Sequence, residues 1–167
     1  MKLPYRAWTA VLVVAGTLGA WHRETEADLF FHLGLGREVL RHGARTIPEP
    51  SAFLTFAPNV VVPAWLWDMG VWSIWSAAGE TGLAIFTLAS AALASLLIAL
   101  LSYRYTRETP FVVFAVVSGA ALTVAVTRFA MRPQLTFMAL LPGFLLLAQL
   151  YRDSAGPRRR AMGIALA

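Results

Sequence analysis

The stretch Gly82-Leu-Ala-Ile-Phe-Thr-Leu-Ala-Ser-Ala-Ala-Leu-Ala-Ser-Leu-Leu-Ile-Ala-Leu-Leu101 holds twenty residues without a charge. Twenty apolar residues wound as a helix match the hydrocarbon thickness of a bilayer. Ala91 with Ser95, and Ser90 with Ala94, stand at helical spacing and suit close helix contact. Immediately after come Tyr103, Arg104, Tyr105 and Arg107, an aromatic and basic collar of the kind that marks a membrane–water boundary.

The same pattern extends in both directions. Phe111 to Thr127 and Pro133 to Tyr151 form two further apolar runs, joined by the short turn Arg128-Phe-Ala-Met-Arg132. Upstream, Tyr5 to Trp21 is about the minimum length that spans. Lys2 and Arg6 before it give it the look of a secretory signal. Leu18, however, occupies the position three before a cut after Ala20, where cleavage needs a small residue, so the run reads as a retained helix. Ala161 to Ala167, after Arg158-Arg159-Arg160, reads as the start of another helix. The expected fold is therefore all-α and polytopic: one membrane domain over 1–167, with about four spans at 5–21, 82–101, 111–127 and 133–151.

Composition agrees. Of 167 residues 58% are apolar and 14% charged, below the roughly 25% of soluble domains. The net charge of +5 comes from arginines at the ends of apolar runs, not from one basic face, which speaks against nucleic-acid binding. Cysteine is absent, so disulfides, thiolate metal sites and cysteine nucleophiles are excluded. A cytoplasmic N-terminus places Lys2, Arg6, Arg104, Arg107, Arg152 and Arg158 to Arg160 on the inner side, as the positive-inside rule asks of a multi-pass protein in a bacterial inner (plasma) membrane. The segment 22–81 and the Arg128–Arg132 turn then face outward.

That outer segment has its own order. Asp28 can cap a surface helix over about 28–42, with Leu29, Leu33, Gly36 and Leu40 as its apolar stripe and Gly43 as its stop. Pro48, Pro50, Pro58 and Pro63 force extended or turned backbone from Arg45 onward. A second surface helix is expected over about 65–78, with Trp65, Trp67, Trp72 and Trp75 at headgroup level. One continuous helix from Trp65 to Leu101 is the competing version.

Three features carry chemistry. Glu24, Glu26 and Asp28 alternate after the first helix, and His32 follows Asp28 by one helical turn. Such a cluster can hold a hard divalent cation, with Glu26, Asp28 and His32 as ligands, or place one carboxylate as a base; equally, Asp28 is a helix cap beside two solvated glutamates. Arg128 and Arg132 stand on the outer side against the charge rule, where a phosphate, lipid headgroups or a carboxylate such as Asp68 would neutralise them. Asp68 lies in the apolar run Trp65-Leu-Trp-Asp-Met and needs a partner, either as a structural ion pair or as part of a polar site. Phosphate-cradling glycine loops, zinc-helix motifs and serine elbows are missing, so no nucleotide cofactor is expected.

The order of Glu26-Ala-Asp28-Leu-Phe-Phe-His32-Leu-Gly, Gly43, Ile47-Pro48-Glu-Pro-Ser-Ala-Phe53, Trp65-Leu66 and Arg132-Pro133-Gln134 resembles the N-terminal part of GT-C-type membrane glycosyltransferases, relatives of protein mannosyltransferases and aminoarabinose transferases. The resemblance implies an enzyme that transfers sugar from a polyprenyl-phosphate carrier to an acceptor on the outer face. It implies Asp28, with Glu26 beside it, as general base or metal ligand, and Arg132, with Arg128 near it, as the carrier-phosphate site. The relatives often have Asp-x-Asp where this chain has Glu26-x-Asp28, and tryptophan where it has Phe30-Phe31. The alternative is a non-catalytic transmembrane subunit packed among membrane-protein partners.

Overall fold

The computed structural model describes residues 1–21, 27–43, 46–48, 59–127 and 133–153. Among them five helices form: α1 Leu3–Trp21, α2 Ala27–His42, α3 Trp65–Thr106, α4 Phe111–Val126 and α5 Pro133–Arg152. Two short strands, β1 Thr46–Pro48 and β2 Asn59–Val61, pair antiparallel with Thr46 opposite Val61 and Pro48 opposite Asn59. The helical class holds, and Pro48 lies in extended backbone as expected, while Pro50 and Pro58 lie outside the described residues. Two of the described helices, Trp65–Thr106 and Gln134–Arg152, are long and apolar enough to cross a membrane; Phe111–Val126 is apolar but shorter. Arg158 to Arg160 and the expected helix at 161–167 lie outside the described residues.

Residues 65–78 and 82–101 belong to one helix, α3, as in the competing version. α3 runs unbroken by any loop, yet Gly79 inside it has φ 59° and ψ −149°, so helical geometry stops there and restarts. Only glycine enters that region without strain, because a Cβ would strike the neighbouring backbone.

The chain divides into two compact units. One gathers α1, α3 from Thr87 onward, α4 and α5. Its apolar helices carry hydroxyls that bond back into their own helix: Thr9 donates to the Tyr5 carbonyl, Thr17 to Val13, Ser95 to Ala91 and Thr106 to Ser102. This satisfies each hydroxyl without water. On α1 the buried residues Tyr5, Thr9, Leu12, Gly16 and Ala20 form one stripe, matched on α4 by Phe114, Ser118, Leu122 and Ala125. Trp8 donates its indole N–H to the Ser118 hydroxyl at 3.1 Å, while Ser118 donates to the Phe114 carbonyl. Gly16 lies against Ser95 and Leu122, and of the small residues at helical spacing Ala91, Ala94 and Ser95 are buried while Ser90 is half-buried. Tyr5 closes one end, its ring 5.1–5.3 Å from those of Tyr103, Phe111 and Phe114. Arg104 pairs with Asp153 just beyond α5.

The other unit gathers α2, the two strands and α3 as far as Phe86. α2 ends at Gly43, whose φ of 64° lets its N–H bond the Val39 carbonyl at 2.9 Å, the left-handed stop expected of it. The apolar face of α2 is broader than the predicted stripe. Leu29 and Leu33 pack with Val71 and Leu83, whereas Leu35 and Val39 pack with Val62. Leu40 is exposed instead, because the second contact lies on the Leu35–Val39 side of the helix. Trp67, Trp72 and Trp75 are packed against the first cluster and Trp65 against the second.

Candidate functional site

α2 starts at Ala27, one residue earlier than expected, so Asp28 sits in its first turn and is not the cap. There its carboxylate faces the positive end of the helix dipole. It is exposed. One turn on, His32 is half-buried, and another turn on, Gly36 is buried. Spacing of four places all three along one side of the helix.

Opposite this side runs the first part of α3. His32 Nδ1 lies 2.6 Å from Asp68 Oδ1, joining residues 36 apart in the chain. The Asp68 side chain is 0% exposed and that of His32 18%. The helices can meet this closely because Gly36 has no side chain: a Cβ there would overlap the Asp68 carbonyl group and come within 3.0 Å of Trp72 Cβ. Asp68 Oδ2 and the indole nitrogen of Trp67 are both buried without a hydrogen-bond partner among the described residues. His32 Nδ1 is thus the one hydrogen-bond partner found for this carboxyl group among the described residues; burial pushes the Asp68 carboxyl above its ordinary value, against the opposing pull of His32.

Asp68 needs a partner, which its sequence position leaves open, and the one found is His32. Sequence reading named both residues but assigned them to separate features. A signal was available, since an isolated carboxylate in an apolar run needs a donor and His32 faces the same way as the buried Leu29 and Leu33. What could not be read was that Gly36 allows backbone contact. Glu24, Glu26, Arg128 and Arg132 lie outside the described residues. Of the three expected metal ligands, Asp28 and His32 are described, and no group of three His, Asp or Glu gathers among the described residues.

This is a helical chain with two helices fit to cross a membrane and a histidine–aspartate pair between α2 and the start of α3. No family model matches it, and neither a curated protein nor a solved structure matches it.

Proposed function

We propose that this chain is a GT-C-type membrane glycosyltransferase, or the N-terminal portion of one, acting on a polyprenyl-phosphate sugar donor at the outer face of a bacterial inner membrane. In this reading α1, α3 beyond Gly79, α4 and α5 are the four spans, with the N-terminus cytoplasmic, and α2 and the tryptophan helix before Gly79 lie at the outer surface. The observation that carries it is the His32–Asp68 contact, which puts a carboxylate-held imidazole one helical turn from the exposed Asp28. Buried ionisable pairs of this kind are costly as pure scaffolding and concentrate at functional sites.

The reaction asks for a base near an acceptor hydroxyl and a cation near the departing phosphate. Asp28, with Glu26, serves the acceptor side; Arg132, with Arg128, neutralises the carrier phosphate through bidentate guanidinium bonds. A divalent ion, where one is used, would be held by Glu26 and Asp28; no step is routed through it. The test is transfer from a radiolabelled polyprenyl-phosphate hexose in proteoliposomes containing envelope lipid and glycan acceptors. Asp28→Asn is expected to abolish transfer with the fold intact, and Arg132→Ala to raise KM for the donor. Wild-type turnover by the Asp28 variant would overturn the proposal. An inert wild-type chain that co-purifies as a stoichiometric subunit of a membrane complex would favour a non-catalytic role instead.

A further inference from the structure

We infer that His32 is the group that receives the proton of the acceptor hydroxyl, with Asp68 as its positioning residue; this rests on the sugar-transfer reading above. Burial pushes the Asp68 carboxyl above its ordinary value and the His32 contact pulls it back; with Asp68 ionised it can only accept, so the 2.6 Å contact then places the proton on His32 Nδ1. In a neutral imidazole that leaves the lone pair on Nε2, which has no partner among the described residues. The carboxylate is sealed while the imidazole reaches the surface, so it is the ring that a substrate can meet. Imidazole is also the side chain most often used for such a proton abstraction.

The surroundings hold the ring still. Gly36, one turn after His32, brings α2 onto the backbone of Asp68 itself, and Trp72, one turn after Asp68, closes on the same glycine. Leu29 and Leu33 on α2 and Val71 on α3 are buried around this contact. Helix-borne, packed groups keep the geometry a proton transfer needs.

The step balances as follows. The hydroxyl proton passes to Nε2 as the hydroxyl oxygen uses its electron pair to bond the anomeric carbon. The bond from that carbon to the carrier phosphate oxygen breaks, and its electron pair stays on the phosphate. The imidazolium, stabilised by Asp68, then returns its proton to water. Asp28 is left to bind and orient the acceptor.

Two measurements test this. Nitrogen-15 NMR of imidazole-labelled protein in nanodiscs should show His32, unlike a freely exchanging histidine, held as the Nδ1–H tautomer with Nε2 unprotonated; a fixed Nε2–H tautomer would overturn the inference without any substrate. In the transfer assay with the radiolabelled polyprenyl-phosphate hexose, His32→Gln should lower kcat by roughly 100-fold or more with donor KM unchanged, the scale of a general base. Added imidazole should restore part of the turnover of His32→Gly. Asp68→Asn, which retains shape, should lower kcat and leave donor KM alone. If Asp28→Asn is dead but His32→Gln turns over normally, His32 is only a structural tie and the transfer reading survives. If the wild-type chain transfers nothing, both fall.

Discussion

A Cβ on Gly36 would overlap the backbone carbonyl of Asp68, leaving no room for a side chain between α2 and α3. The atoms that would be struck are backbone, so a larger residue cannot be absorbed by a rotamer change. Gly36→Ala is expected to force the helices apart and stretch the His32–Asp68 contact, at a cost of about 1–3 kcal/mol. Gly70→Ala is the control, since its Cβ would meet nothing within 4 Å. Thermal denaturation in detergent should show a loss for the first and none for the second.

The histidine–aspartate pair should behave as a coupled unit. His32→Ala strands a buried carboxylate and is expected to destabilise by about 3–5 kcal/mol. Once Asp68 is also replaced by alanine that penalty no longer applies, so the double variant should fall short of the sum of the singles by roughly 1–3 kcal/mol. Strict additivity in a double-mutant cycle would show that the two side chains do not share a bond in the folded protein.

Gly79 breaks α3 through its own backbone, with open space where a Cβ would go. Gly79→Ala therefore meets no neighbour but must either occupy a glycine-only conformation or straighten the helix. A loss of about 1–3 kcal/mol is expected. A gain in stability, the usual result of glycine to alanine within a regular helix, would mean the break is absent in the membrane.

The Arg104 guanidinium holds the Asp153 carboxyl below its ordinary value of 3.8. Because the folded value is the lower one, the bridge contributes stability above about pH 3.8, and that contribution is lost as pH falls through the folded value. Both groups are partly exposed, so the effect is small and weakens with salt. Melting temperatures measured from pH 6 down to about pH 2.5 should fall less steeply for Asp153→Asn than for the wild type.

Much of the scaffold is legible in the order of residues because apolar runs, helix stops and turn formers act locally. Pro133 opens α5, Gly43 closes α2, and the helix bounds differ from those expected by a few residues, except that α3 continues to Thr106. The α1 stripe and the buried Ala91, Ala94 and Ser95 follow from side-chain size at helical spacing. The break at Gly79 was half-legible: the change from a tryptophan-rich to a small-residue helix is written in the sequence, but the continuity across it is not.

By itself, the sequence determined that the chain is helical and apolar, that Asp28 and His32 share one side of α2, and that Asp68 must find a partner. Tertiary structure alone decided who that partner is. Residues 32 and 68 are linked by no period or motif; they meet because Gly36 permits α2 to touch the α3 backbone and because burial of Leu29, Leu33 and Val71 draws those two faces together. A bond between distant residues depends on the shape of the surfaces around it, and shape emerges only when the helices pack.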